Sequence, residues 1–158
     1  MQQYFANVPY EDLEGRSEEV MARIALDHLE FGALRRPGQA LLRIYNANEK
    51  EHGYVSPFTF VEMVNDDMPF LVDSVAAAIS RQNFAVHITV HPIIAVRRDS
   101  KGKVTGIAAP GSSKASPESF IRFAITRETD DKELKALQKE NQRLRKIIAD
   151  QRIDMEMI

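Results

Sequence analysis

Apolar and polar positions alternate in several short runs in the middle of the chain, and this period of two predicts β-strands. In one run, Val86, Ile88 and Val90 are expected on one face, with His87 and His91 on the other. Residues 99–103 have the polar and glycine-containing composition of a hairpin turn. The predicted strands cover residues 58–64, 85–91, 93–96, 104–108 and 119–127.

A period close to 3.6 predicts a helix over residues 70–82, where Leu71, Val75 and Ile79 share one face. A first helix is expected to begin after an N-cap at Ser17 and to stop near residues 35–38, Arg-Arg-Pro-Gly. Residues 41–45 predict a short strand, and residues 46–53 a polar loop. The order of the central elements favours an α+β fold, an antiparallel sheet with helices on one face.

The last segment carries a seven-residue repeat. Two positions of each repeat are mostly apolar, and a central Asn141 favours a parallel pair of helices, because two buried amides satisfy each other in one register. This predicts a coiled coil that joins two copies of the chain; the alternative is an amphipathic helix packed on its own sheet. The expected dimer contacts are Leu134, Leu137, Asn141, Leu144 and Ile148. The pattern divides the chain into an N-terminal arm (1–57), an α+β domain (58–129) and a helical tail (130–158).

Composition narrows the classes of function. The net charge of −2 argues against general nucleic-acid binding, which needs a concentrated basic surface. No apolar run approaches the length of a membrane span, and the first residues do not resemble a signal peptide. The sequence contains no cysteine, so we expect neither disulfides nor a thiolate metal site. We therefore expect a cytoplasmic protein without membrane or nucleic-acid partners.

Candidate catalytic and metal-binding groups are few. His87 and His91 would lie about 13 Å apart on one strand, too far to share an ion, so no metal site is predicted. Asp66 or Asp67 can cap the helix that follows, with Pro69 in its first turn, and this interpretation is favoured over ligand contact. Gly102, Gly106 and Gly111 surround a hairpin and a loop, not a strand-to-helix turn, so they do not predict a dinucleotide site. No catalytic or cofactor-binding residue is predicted.

The succession of short motifs along the chain resembles a known family. The motifs begin at Tyr4-Phe5 and continue through Arg36-Pro37-Gly38 and His52-Gly53 to the ten residues 65–74, Asn-Asp-Asp-Met-Pro-Phe-Leu-Val-Asp-Ser. Val86-His87 and His91-Pro92 follow. Together they resemble the N-terminal part of the large bacterial NAD-dependent glutamate dehydrogenases. The resemblance implies an ACT-like, ferredoxin-like βαββα domain; the family uses NAD, but its catalytic and dinucleotide-binding segments lie far downstream.

The resemblance implies a site at the turn that precedes the central helix, formed by Asn65, Asp66, Asp67, Pro69 and Phe70. ACT domains that bind amino acids usually have glycine after the proline. Here Phe70 is expected to occupy the approach of a ligand, which disfavours an amino-acid effector and favours a packing or partner role. The closing strand of the fold has no candidate after residue 130 unless residues 41–45 replace it.

The tail beyond about residue 132 no longer resembles the dehydrogenase and is similar to the leucine zipper of transposase-associated proteins. The sequence therefore predicts a non-catalytic regulatory or assembly segment of a glutamate dehydrogenase, truncated or fused. The alternative is a gene remnant that acts only as a coiled-coil self-association module.

Overall fold

The fold is that of a computed structural model, which describes residues 3–13 and 15–156. Within this range the side chains of residues 141, 142, 144, 147 and 151–156 are outside the description. In chain order the elements are α1 (Tyr10–Leu13), α2 (Glu18–Phe31), β1 (Leu41–Asn46), α3 (Glu49–His52), β2 (Phe58–Asp66), α4 (Leu71–Arg81), β3 (Val86–Val90), β4 (Ile93–Arg98), β5 (Val104–Ile107), β6 (Ser116–Thr126) and α5 (Asp131–Glu156).

The described strands form a six-stranded antiparallel sheet in the order β1-β2-β6-β4-β5, with β3 also paired to β6. β3 and β4 follow one another along the same side of β6: Val90 lies opposite Arg122 and Ile93 opposite Ser119. The break between them is at Pro92, which has no N–H to donate to a ladder. Because β6 separates β2 from β3, the segment β2-α4-β3 is the split crossover of the predicted ACT-like fold.

The edge beside β2 is filled from the N-terminal side of the chain. β1 pairs antiparallel with β2, from Leu41 opposite Val64 to Asn46 opposite Thr59. No strand follows α5 within the described residues. β1 thus takes the place of the closing strand, the substitution that the sequence left open.

The two faces of the sheet carry separate apolar cores. α4 and α5 cover one face, where Val75, Ile79 and Ile148 meet Val61 and Phe123. The sequence predicted helices on this face. The second face is covered as well, because α2 and the N-terminal arm pack Tyr4, Phe5 and Ile24 against Phe60 and Phe120. Both faces of β2 and β6 are therefore buried.

Besides the polar loop expected over residues 46–53, part of which forms α3 (Glu49–His52), two local predictions need correction. α2 does begin after Ser17, whose side chain accepts a hydrogen bond from the Val20 N–H, but it ends at Phe31 rather than near residues 35–38. It ends beside Gly32, where a Cβ would lie 2.9 Å from the ring of Phe120, so glycine permits the close contact with the sheet.

The second correction concerns β3. A bulge between Val86 and Ile88 shifts the alternation of the strand. Val86 packs in the core beneath α4, whereas Ile88 and Val90 pack in the core beneath α2. The three residues do not share one face.

Both outer edges of the sheet meet other parts of the chain. On β1, the side chains of Gln138 and Arg145 from α5 donate to the carbonyl oxygens of Ile44 and Leu42, at 3.0 and 3.4 Å. On β5, the N–H of Val104 donates to the carbonyl of Ala33, and a bridge joins Leu34 to Lys103. Edge groups that would otherwise be open to another strand are partly satisfied within the molecule.

Candidate functional site

The turn predicted as a site, residues 65–70, leaves the end of β2 and leads into α4. Asp66 is fixed at its start, because one carboxylate oxygen accepts from Arg35 Nη2 at 2.7 Å and the other from the N–H of Gly38 at 3.2 Å. The amide of Asn65 is buried and lies 3.8 Å from the sulfur of Met68. The turn is therefore attached to the loop that follows α2, and Asp66 already has partners.

The prediction that Asp66 or Asp67 caps α4 is wrong. The N-cap is Phe70, which makes no side-chain capping hydrogen bond, and Pro69 precedes the cap. Asp67 instead accepts from the Ser119 hydroxyl at 2.8 Å, and its N–H donates to the Pro117 carbonyl. Because β6 runs beside β2, it competes successfully for the aspartate that the local sequence assigned to the helix.

Phe70 combines an exposed ring with an unfavourable backbone. Its φ of 63° and ψ of 6° place it in the left-handed region, and 74% of the residue is exposed. An L-residue with a Cβ pays about 1–2 kcal/mol for this conformation, which glycine adopts freely. Because most of the ring is exposed, its burial contributes little to offset the backbone cost.

A shallow groove of about 380 Å³ borders the turn, lined by residues 67–73 and by His91 from the end of β3. The Ser119 hydroxyl donates its proton to Asp67. The Ser119 oxygen is therefore the acceptor toward His91, whose Nε2–H donates to it at 3.2 Å. Burial lowers the pKa of His91, and the nearby Asp67 opposes this. The serine lies between the other two groups and its proton is directed at the carboxylate. This order does not place a base on a serine nucleophile.

The glycines of the chain do not suit a dinucleotide. Gly102 lies in the hairpin turn, Gly106 in β5 and Gly111 in the following loop, so none opens a helix. The helix that follows β2, α4, begins beside Asp66, Asp67 and Asp73, and carboxylates there repel a pyrophosphate. The three glycines therefore do not form the glycine-rich strand-to-helix turn of a dinucleotide site.

A buried ionic cluster in the sheet was not predicted. Glu62, with no exposed surface, lies between Arg43 of β1 and Arg122 of β6. Its two oxygens accept from Arg43 Nη2 at 2.6 Å, Arg122 Nη1 at 2.5 Å and the Tyr45 hydroxyl at 2.6 Å. The guanidinium of Arg122 also stacks on the Phe60 ring, 3.7 Å from its centre.

The cluster sets the charge state of its members. Burial alone would raise the pKa of Glu62. The charge that His28 takes up in acid, the guanidinium groups of Arg122 and Arg43, and the Tyr45 hydrogen bond together lower that pKa to about 2. Burial raises the pKa of Tyr45, and the neighbouring Glu62 charge raises it further. Glu62 therefore stays ionised and both arginines stay charged, which makes the cluster a cross-strand support rather than a proton-transfer site.

A second ionic cluster links the loop after α2 to β6. Glu118, 1% exposed, accepts from Arg35 Nε at 2.9 Å and from Arg98 Nε at 2.8 Å. Arg98 also donates to the Gly32 and Gly102 carbonyls, at 2.8 and 2.7 Å. Arg35 also donates to Asp66, so the cluster is connected to the candidate turn and holds it against β6.

The N-terminal arm is attached through His28, which is fully buried. Its Nε2–H donates to the Met63 carbonyl at 3.1 Å, and its Nδ1 accepts from the Tyr4 hydroxyl at 2.7 Å. Burial lowers the pKa of His28, so the ring is neutral at pH 7. The arrangement requires the neutral form that carries its proton on Nε2.

The two histidines considered for metal binding have separate partners. His87 Nε2 lies 3.0 Å from the Thr126 hydroxyl, and His91 contacts Ser119. No group of three potential metal ligands occurs among the described residues.

The predicted dimer contacts lie on α5. Leu134, Leu137 and Ile148 pack in the core beneath α4, and Ile148 is 1% exposed. This is the packing that the sequence considered as the alternative to a coiled coil. The side chains of Asn141 and Leu144 lie outside the described residues. Across the described chain, α5 and the shorter helices all fall short of the length or apolarity that crossing a membrane requires.

Comparison with known proteins identifies relatives that are much longer than this chain. It is 31% identical over 137 residues to the NAD-specific glutamate dehydrogenase of Halomonas elongata, covering 85% of the chain and 8% of that protein. It is 37% identical over 103 residues to the enzyme of the same name from Pseudomonas aeruginosa, covering 64% of the chain and 6% of that protein. No solved structure matches the chain significantly.

The family model described as glutamate dehydrogenase, ACT1 domain, matches residues 1–140. That range includes the N-terminal arm, the whole sheet and the start of α5. The chain therefore belongs to the family of glutamate dehydrogenase ACT1 domains.

Proposed function

We propose that this chain is a non-catalytic regulatory and assembly segment of an NAD-specific glutamate dehydrogenase, a class of enzyme that converts glutamate and NAD to 2-oxoglutarate, ammonia and NADH. The observation that supports this most directly is the match of residues 1–140 to one domain of relatives that the chain covers by only 8% and 6%. NAD belongs to the rest of such an enzyme, and the chain itself takes no cofactor.

The chemistry of the buried groups supports a non-catalytic role. Glu62 and Glu118 are buried and paired with arginines on both sides, so both are closed off from a substrate. Ser119 is buried and donates to Asp67. These groups have the arrangement of supports for the sheet and the turn.

The turn that carries Phe70 is the proposed docking surface for the remainder of the dehydrogenase. Backbone strain is retained in proteins where surrounding structure or function requires it, and here a large ring is held exposed beside Pro69. Aromatic rings at protein interfaces contribute disproportionately to affinity. The occupant is another segment of the same enzyme, because the relatives extend far beyond the length of this chain.

Two measurements test this proposal. The purified chain is assayed for glutamate-dependent NADH formation, and turnover would refute the non-catalytic role. The chain is then titrated into a dehydrogenase relative that lacks its own matching segment, with association followed by sedimentation velocity. We expect Phe70→Ala to weaken association about tenfold or more, and Tyr10→Ala, which removes a ring that is 79% exposed elsewhere, to leave it unchanged. Equal association of both variants would exclude the turn, and no association of the parent chain would exclude the assembly role.

An amino-acid effector remains a hypothesis for the groove of residues 67–73 and His91. A ligand that binds only the native state raises its unfolding temperature. A thermal-shift series with free amino acids therefore tests the effector. If no amino acid raises the unfolding temperature, the effector hypothesis is refuted, and docking is then the proposed role of the turn.

The alternative function is self-association through α5, with a tail resembling a transposase-associated zipper. The contacts of Leu134, Leu137 and Ile148 with the sheet weigh against it, because α5 would have to leave its core before the same residues could meet a partner. Sedimentation equilibrium of Asn141→Leu beside the parent chain is the test. A concentration-dependent dimer that changes with this substitution would favour the zipper, and two monomers would exclude it.

A further inference from the structure

A cavity lies between α4, α5 and the sheet, away from the candidate turn. Its volume is about 180 Å³, and its inner wall is apolar. Among the described residues this wall is formed by Ile44, Val61, Ala78, Ile79, Phe84, Ile125 and Leu137. Polar side chains line it too, and these are Arg81, Gln82, Glu140 and Arg143.

The apolar wall determines which part of a ligand the cavity takes. Ile44, Val61 and Ile125 are at most 5% exposed and belong to the core beneath α4. An engineered cavity of about 150 Å³ with a similar lining stays dry and binds benzene. A volume of about 180 Å³ thus suits one phenyl ring or a short aliphatic chain.

The polar side chains determine the charge of the ligand. The side chain of Arg81, on the last turn of α4, makes no hydrogen bond or ion pair within the described part of the chain. Arg143 is 70% exposed and lies 3.9 Å from Glu140, longer than the 2.7–2.9 Å or so of a strong charged hydrogen bond. Two guanidinium groups against one carboxylate leave a positive excess among the described residues, and guanidinium binds carboxylate through two parallel hydrogen bonds.

We propose that this cavity binds a small monocarboxylate with an apolar group the size of a phenyl ring, the ring between α4 and α5 and the carboxylate on Arg81 and Arg143. An α-ammonium group on the ligand would face the same two arginines, so free amino acids are disfavoured. The site adds a ligand class to the proposed regulatory role but is tested by binding alone. Loss of either proposal therefore leaves the other standing.

The test is isothermal titration of the full chain with three probes that share one ring. 3-Phenylpropionate has the carboxylate alone, L-phenylalanine adds the ammonium group, and 3-phenylpropan-1-ol removes the charge. We expect the carboxylate to bind at least about tenfold more tightly than either of the others. No binding of the carboxylate, or equal binding of any two probes that include it, overturns the proposal.

Variants locate the site. Arg81→Gln and Arg143→Gln should each weaken the binding of 3-phenylpropionate several-fold, whereas Arg36→Gln, an exposed arginine beyond the cavity, should not change it. The ligand should also shift the methyl NMR signals of Ala78 and Ile79 in the unaltered chain, a readout that needs no variant to fold. Binding that is indifferent to both arginines, or shifts confined to other methyls, would place the ligand elsewhere and refute the proposal.

Discussion

Replacing Glu62 with glutamine removes one negative charge from the middle of the sheet while nearly preserving the size and shape of the side chain. In the parent chain the carboxylate accepts from Arg43, Arg122 and Tyr45. Glutamine offers one acceptor oxygen and turns an NH₂ group toward donors. Arg122, 3% exposed, would then be a buried charge without its counter-ion.

Two independent arguments give similar magnitudes for this change. Removing one partner of a buried ion pair typically costs about 3–5 kcal/mol. A pKa lowered from 4.5 to about 2 corresponds to about 3 kcal/mol in favour of the ionised native form. Domains of this kind have about 5–15 kcal/mol in total, so the variant should lose a large part of its stability.

Urea unfolding followed by circular dichroism measures the effect, and we expect the midpoint to fall by about 1 M or more. The matched control is Glu30→Gln, which removes a carboxylate 3.1 Å from Arg23 but 56% exposed. That substitution should cost less than about 1 kcal/mol, because water screens exposed pairs. A Glu62→Gln variant within about 1 kcal/mol of the parent would refute the assignment of a stabilising buried cluster.

A double replacement separates charge from packing. Glu62→Met with Arg122→Met removes both buried charges, while Arg43 keeps its contact with Asp27 at 2.7 Å. Well-packed apolar replacements of whole buried pairs are often neutral or stabilising, so most of the lost stability should return. An equal loss in the double variant would show that packing, rather than the unpaired guanidinium, causes the effect.

The remaining predictions concern backbone strain and pH. Phe70→Gly should be more stable than Phe70→Ala by about 1 kcal/mol in thermal unfolding, because both variants lose the ring but only alanine keeps a Cβ at positive φ. Equal stability of the two variants would contradict backbone strain at this position. Gly102→Ala should lower the free energy of unfolding by more than about 2 kcal/mol, because φ is +87° and the new Cβ would lie 2.5 Å from a backbone carbonyl oxygen. The control is Gly111→Ala, where φ is +80° but nothing lies within 4 Å of the new Cβ, and this substitution should cost only about 1 kcal/mol. Because burial lowers the pKa of His28, the unfolded chain takes up that proton first, so stability should fall as the pH drops below about 6.5. The fall should be smaller in His28→Gln, and an unchanged slope would show that another group causes it. A further fall between pH 4.5 and about 2 should be reduced in Glu62→Gln, since the native carboxylate is protonated last.

The sequence predicted the elements whose signal is local. The helix expected over residues 70–82 is found at Leu71–Arg81. The strand expected over residues 58–64 begins as predicted and continues two residues further, to Asp66. The N-cap at Ser17 was correct because its hydrogen bond is made three residues away. Such features depend on neighbours within one or two turns of the chain.

The features that the sequence did not predict depend on distant partners. Glu62 shares its face of β2 with Phe60 and Val64, and its charge is buried there because Arg43 and Arg122 lie on either side of it and α2 covers that face. Asp67 has the sequence position of a helix cap, but its carboxylate accepts a hydrogen bond from Ser119 instead. Pairing at separations of 19 to 60 residues determined both outcomes, and no short window contains that information.

The hydrogen bonds at the outer edges of β1 and β5 have a consequence for how this molecule meets its neighbours. Open strands recruit strands from other molecules, which leads to extended sheets and aggregates. Here the side chains of Gln138 and Arg145 donate to backbone carbonyls of β1, and the Ala33 carbonyl accepts from a backbone N–H of β5. Contacts with other molecules are thereby directed to side chains, whose charge and shape differ from surface to surface, and away from a backbone that every protein shares. A domain built in this way can be selective about what it binds.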